Sequence, residues 1–147
     1  MTGRLIGIAR APQKGGALEE IANAEISVER GIAGDARVHF PKRQITILFR
    51  EGWEAACRDL GATLPWITRR ANLYVEGMAV PKRIGDRLRV GVVVLEVTDE
   101  TEPCHIMERA HAGLKAALTP DWRGGVTCRV VEGGTFAIGD AVETAAP

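Results

Sequence analysis

The sequence predicts a mainly β fold, a strand-rich barrel of one domain with a few helices. Three observations predict it. Short apolar runs recur between glycines, of which the chain has 17, and this rhythm marks strands joined by tight turns. Helical spacing of apolar residues is confined to two stretches, Arg50 to Leu60 and His105 to Leu118. The tripeptide Ile-Gly-Asp occurs at Ile84-Gly85-Asp86 and again at Ile138-Gly139-Asp140, each time ahead of a strand pattern. That repetition suggests two similar corners.

The 147 residues have the size of one ordinary domain and can bury a core without staples. A composition 46% apolar and 26% charged is globular. Lys+Arg and Asp+Glu balance at 19 each, so bulk charge favours neither a nucleic-acid nor a membrane partner. Aromatic residues make up 5%, leaving few rings on which bases could stack. No apolar run approaches about 18 residues, the length a span needs, and no signal-peptide pattern opens the chain. The expected location is the cytoplasm, where thiols stay reduced. Cys57, Cys104 and Cys128 are odd in number and form no C-x-x-C pair, which argues against a disulfide framework or structural zinc.

Arg4 to Ala9 reads as a first strand with both faces partly buried. The loop after it carries Lys14 beside Gly15-Gly16, but the G-x-x-x-x-G-K-[ST] order of a phosphate loop is absent, so no phosphate role is expected there. Ala24 to Glu29 alternates as a second strand. Gly31-Ile32-Ala33-Gly34-Asp35 is a turn that delivers Asp35, Arg37 and His39, either as turn formers or as a polar cluster facing a site. Arg43 to Phe49 is a β-branched third strand. It leads into the helix Arg50 to Leu60, whose stripe of Trp53, Cys57 and Leu60 makes Cys57 a core thiol.

Gly61 ends that helix. Arg69-Arg70-Ala71-Asn72 enters a strand, Leu73 to Gly77. The two arginines are expected on opposite faces, one of them solvated or lining a cavity; arginine is well suited to hold a phosphate or oxyanion. Arg87 to Val97 reads as one or two strands around Gly91, with Leu88, Val90, Val92 and Val94 on one face. In the helix His105 to Leu118, Gly113 costs about 1 kcal/mol relative to Ala and invites an interruption. Val126 to Val131 is a strand that places Cys128 in the core, and Ala141 to Thr144 is the last one.

Two cysteines are thus explained by periodicity. Cys104 is not. It follows Pro103 at a switch from strand to helix, near free backbone N–H groups that favour a thiolate, while Glu100, Glu102 and Glu108 oppose one. It reads either as the reactive atom or as an inert residue at a helix start.

The order of these segments resembles the MOSC domain family, found at the C-terminus of molybdenum cofactor sulfurases and as stand-alone bacterial proteins. The resemblance rests on Gly31 to Asp35, Arg43-Gln44-Ile45-Thr46, Arg69 to Gly77, Ile84 to Leu88, Pro103-Cys104, Arg123-Gly124-Gly125, Gly133-Gly134 and Ile138-Gly139-Asp140. It spans about residues 3–144 of a single domain covering 1–147. It implies a MOSC-type β-barrel, identifies Cys104 as the functional cysteine, and points to molybdenum-cofactor or sulfur chemistry. Many members continue the early turn as Gly-Asp-x-His; here it runs Gly34-Asp35-Ala36-Arg37, with His39 two positions late. The chain carries no pyridoxal-phosphate-dependent sulfurase domain and no extra N-terminal β-domain, so no catalytic pyridoxal phosphate is expected.

Three functions follow as expectations. In the first, the Cys104 thiolate ligates the metal of a molybdenum cofactor. Arg69, Arg70, Arg123 and the Gly124-Gly125 backbone hold the pterin phosphate. Asn72 bonds the pterin edge, Asp35 orients an arginine or bonds a metal-bound oxygen, and a small substrate such as an N-hydroxylated compound is reduced. In the second, Cys104 carries sulfane sulfur as a persulfide, received from a cysteine desulfurase. In the third, a non-catalytic barrel binds a phosphorylated ligand. The first needs a redox partner; none calls for nucleic acid or a membrane.

Overall fold

The structure is a computed structural model that describes residues 2–37 and 41–146. Its strands are β1 (Thr2–Arg10), β2 (Glu19–Glu20), β3 (Asn23–Ser27), β4 (Gly31–Ile32), β5 (Ile45–Phe49), β6 (Leu73–Glu76), β7 (Arg87–Val90), β8 (Val93–Glu100), β9 (Val126–Glu132), β10 (Gly134–Ala137) and β11 (Ala141–Ala145). The helices are α1 (Arg50–Leu60), α2 (His105–Ala110) and α3 (Leu114–Leu118), with 3-10 turns at Trp66–Arg69 and Pro120–Trp122. Seven strands run in the order β11-β7-β8-β9-β5-β6-β1, and β1 pairs back onto β11 to close the barrel. The mainly β, single-domain expectation holds.

One pair in the barrel, β5 with β6, is parallel. A parallel pair needs a crossover, and α1 with the first 3-10 turn supplies it. This makes β5 a strand with two buried faces. Ile45, Ile47 and Phe49 point into the main core, while Leu48 packs outward in a second cluster with Trp53 and Ala56 of α1, and with Met107, Leu114 and Leu118. The main core fills the barrel and is joined by Ala24, Ile26, Ile32 and Phe136 from the small sheet β10-β3-β4. Cys128 is fully buried there, and burial, with Glu96 adding to it, pushes its thiol well above the ordinary range. Cys57 corrects the expectation of a core thiol: it is half-buried and packs at the edge of the second cluster.

Local chemistry explains the boundaries. Gly61, at φ 71°, ends α1 and donates its N–H to the Arg58 carbonyl. Gly113, at φ 89°, splits the second helical stretch into α2 and α3. The Glu108 carboxylate accepts from the Gly113 and Lys115 N–H groups across that break. Between β7 and β8 the chain makes a hairpin with Val90 opposite Val93. The turn resets the alternation, so Val93, Leu95 and Val97 face the core with Leu88 and Val90, while Val92, expected on that face, is 64% exposed. The two Ile-Gly-Asp corners match bond for bond. Gly85 N–H donates to Val97 O, and Val97 N–H returns to Asp86 O; Gly139 and Asp140 do the same with Leu5. No helix among the described residues is long and apolar enough to cross a membrane.

Candidate functional site

Five segments meet around one cavity of about 400 Å³: the loop after β1, the connection between β4 and β5, the first 3-10 turn, the junction of β8 with α2, and the glycines before β9. Cys104, Arg69, Arg70, Asn72, Asp35 and Gly124 all line it.

The turn at Gly34 places Asp35 at the centre of a brace. Its side chain is 2% exposed and pairs with Arg37 Nε at 3.0 Å. It also accepts from Asn72 Nδ2 at 2.6 Å, from the Arg37 N–H at 3.2 Å and from the Ala11 N–H at 3.4 Å. Burial pushes its carboxyl up, but the hydrogen bonds from Arg37 and Asn72, with the Arg37 charge, outweigh this and hold it below its ordinary value. Arg37 Nη1 then reaches the Arg70 carbonyl at 2.8 Å. Asp35 therefore orients Arg37.

Asn72 differs from its expected role. Its amide donates to Asp35 and to the Ala9 carbonyl (3.2 Å), and its oxygen accepts the Thr46 N–H (3.0 Å) and hydroxyl (3.3 Å). Both donors and both acceptor positions are taken, so Asn72 ties β1, β5 and the Asp35 turn together and has nothing left for a ligand edge.

Arg69 is 8% exposed. Its Nε donates to Gly124 O at 3.1 Å and its Nη2 to Thr101 O at 2.8 Å. Gly124 leaves room for this, since a Cβ there would lie 2.5 Å from Thr101 O and 3.1 Å from Arg69 Nη2. Burial pushes the Arg69 guanidinium down to about 10; the charge of Cys104 opposes the fall and Arg43 adds to it. It stays cationic at neutral pH without an ion-pair partner among the described residues. Arg70 sits at φ 65°, a left-handed conformation rare for a side chain of its size, and its Nη2 donates to Gly16 O at 2.9 Å.

Cys104 precedes α2 in extended backbone, half-buried, and caps nothing with its thiol. Thr101 Oγ1 is buried with no hydrogen-bond partner among the described residues. Arg123 corrects the expectation that it joins the site. It does not line the cavity; its Nη1 is 2.6 Å from Asp59 of α1 and donates to Ala117 O. The kink at Asp121 and Trp122, both at positive φ, sends it that way. His39 lies outside the described residues.

The cavity also gathers cations that were not expected at a site. Arg43, and Lys14 from the loop that lacked a phosphate-loop signature, both line it. With Arg37, Arg69 and Arg70 there are five cations against the carboxylates of Asp35 and Glu102. Ala71, Ile106 and Met107 add apolar lining. Such a lining suits an anion carried on a less polar body. The local cue of Lys14 beside two glycines lacks the phosphate-loop order, and the packing of distant loops is what brings Lys14 and Arg43 to the cavity.

No curated protein matches the chain. Among solved structures, the YuaD protein from Bacillus subtilis superposes with a TM-score of 0.83 at 19% identity, covering 98% of this chain and 96% of that one. YiiM from Escherichia coli gives 0.72 at 16%, covering 98% and 70%. YiiM from Geobacillus stearothermophilus gives 0.70 at 15%, covering 98% and 73%. At such identities the likeness shows a shared fold. The family model of the MOSC domain matches residues 35–143, from the Asp35 turn to the last strand, and the chain belongs to the MOSC domain family.

Proposed function

We propose that the protein binds a molybdenum cofactor in this cavity, with the Cys104 thiolate as the protein's ligand to the metal, and acts as a two-electron reductase of N-hydroxylated or similar small compounds. The observation that carries the reading is the meeting of one soft ligand and an excess of cations in one cavity. The fit can be tested residue by residue. Among the described residues no three His, Cys, Asp or Glu side chains gather around one point, so the protein alone offers a metal a single thiolate, which suits a metal that arrives with its own ligands. Arg70, Arg43 and Lys14 suit a phosphate, and a cavity near 400 Å³ falls in the range of about 300–1,000 Å³ typical of small-molecule sites.

When bound, the cofactor would supply the two-electron redox chemistry. The chain's own part is binding and orientation. Cys104 gives the soft ligand; Arg70, Arg43 and Lys14 balance phosphate charge; Ala71 and Met107 exclude water along the apolar lining. Arg69 holds the Thr101 and Gly124 carbonyls in place beside Cys104. Protein purified from cells with intact cofactor synthesis is expected to carry stoichiometric molybdenum and pterin fluorescence, both lost in Cys104→Ala. Metal-free, pterin-free wild-type protein would sink the reading.

The partial exposure of Cys104, followed by exposed His105 and Ile106, favours a second reading as a sulfur carrier. The Cys104 thiolate would attack the outer sulfur of a persulfide on a cysteine desulfurase. The donor's S–S bond breaks, its cysteine leaves as thiolate, and Cys104 keeps the sulfur. Mass spectrometry after mixing with a desulfurase should then find one added sulfur on Cys104; label on Cys57 or Cys128 instead counts against it. If Cys104→Ala changes neither result nor any cellular phenotype, a non-catalytic ligand-binding barrel remains.

A further inference from the structure

A second concavity, of about 480 Å³, lies beside α1 and shares no lining residue with the first. It gathers Trp53 and Trp66, two of the chain's three tryptophans, and Tyr74, its single tyrosine. In a chain so poor in aromatic residues, that concentration needs a reason. The rings are fixed. Trp66 and Tyr74 stack with centroids 5.1 Å apart and planes 3° from parallel. Trp66 lies on Gly7, where a Cβ would come within 2.7 Å of its ring, and its indole N–H donates to Glu20 at 3.0 Å. The Trp53 indole N–H is anchored on Leu64 O at 3.1 Å.

The polar groups of this groove are less well used. Arg50 and the one lining carboxylate, Glu54, pair with each other, and Arg50 also bonds Glu76, which leaves these charges balanced. The Arg58 guanidinium, the Tyr74 hydroxyl and the Cys57 thiol also line the groove, and none has a hydrogen-bond or ion-pair partner among the described residues. Burial, then Glu54, pushes Tyr74 up to about 12, so its hydroxyl keeps its proton at neutral pH and can donate. A rigid aromatic wall with one free cation and one free phenol donor is a pre-organised recognition surface.

We propose that this groove is a second ligand site, taking a small planar aromatic anion such as an aromatic carboxylate. The ring lies against the Trp66–Tyr74 face, and the carboxylate accepts from Arg58 and Tyr74. This inference does not depend on the cofactor reading, because the two sites share no side chain.

The test is NMR titration of the isotope-labelled chain with 2-naphthoate, read at the tryptophan indole N–H signals. Trp122 lies outside the groove and serves as an internal control. The expected result is a saturable shift of the Trp53 and Trp66 signals with Trp122 unmoved. Arg58→Gln, an exposed position, should weaken binding about tenfold, as loss of one charge-assisted contact does. The neutral 2-naphthamide should bind about as weakly, and Cys104→Ala should leave binding unchanged. The proposal is overturned by absence of a saturable shift, by equal binding of cyclohexanecarboxylate, by undiminished binding in Arg58→Gln, or by loss of binding in Cys104→Ala.

Discussion

The Asp35 carboxylate accepts hydrogen bonds from Arg37, Asn72 and two backbone N–H groups while nearly sealed from solvent. Its folded value lies below the unfolded one, so the folded state binds its proton less readily. The stability this contributes is complete above the unfolded value of about 3.8 and is lost as pH falls through the lower folded value. Urea unfolding followed from about pH 6 to about pH 3 should show wild type losing more stability than Asp35→Asn, which has no carboxylate to protonate. A parallel fall in both proteins would mean other carboxylates carry the acid sensitivity. Two other residues show what sequence leaves undecided. Arg69 and Arg123 sit in similar polar contexts, yet one is walled in beside Cys104 and the other pairs with Asp59 on α1. Chain direction after Trp122 decides this, through backbone conformations that no side-chain pattern announces.

At the scale of elements, the approach of β9 to β5 depends on Gly125. It sits at φ 93°, and a Cβ there would run into the Ile47 carbonyl oxygen. Its N–H donates to Trp122 O and its carbonyl accepts from Thr101, so the same residue fixes the junction that carries Arg69's two carbonyl partners. Gly125→Ala combines left-handed strain with a backbone clash, and should lower unfolding free energy by about 3 kcal/mol, measured by chemical denaturation. A change below about 0.5 kcal/mol, the range of an ordinary surface substitution, would show that the strand pair can shift to accommodate it. The α1 boundaries and the break at Gly113 were legible because caps and glycines act locally. The face assignment around Val92 was not, because a two-residue hairpin and a bent strand look alike in an alternating sequence.

At the scale of the whole molecule, the barrel closes through β1 and β11, with Thr2 opposite Glu143 and Arg4 opposite Ala141. The closing strands lie far apart in sequence, so the contacts that close the barrel are long-range. Removing residues 141–146 should expose the edges of β1 and β7 and uncover the core around Val142. The expected outcome is loss of the cooperative thermal transition in circular dichroism; a retained sharp transition would show that an open sheet suffices. The same closure holds the loops of the candidate site at fixed spacing, although they come from residues as far apart as Lys14 and Gly124.

What the sequence determined alone was local. Strand and helix periodicity, glycine punctuation and the paired Ile-Gly-Asp corners specified a mainly β barrel, and periodicity separated Cys104 from the buried Cys128. Each of those signals acts within a few residues of the backbone. What only the tertiary structure decided was which charges share a cavity with that thiol. It spent Asn72 on the internal brace and turned Arg123 away. It brought in Lys14, Arg37 and Arg43, and set a second aromatic groove beside α1. Those outcomes depend on strand register and on hydrogen bonds between segments tens of residues apart, and a charge carries no mark in sequence of the partner that packing will give it.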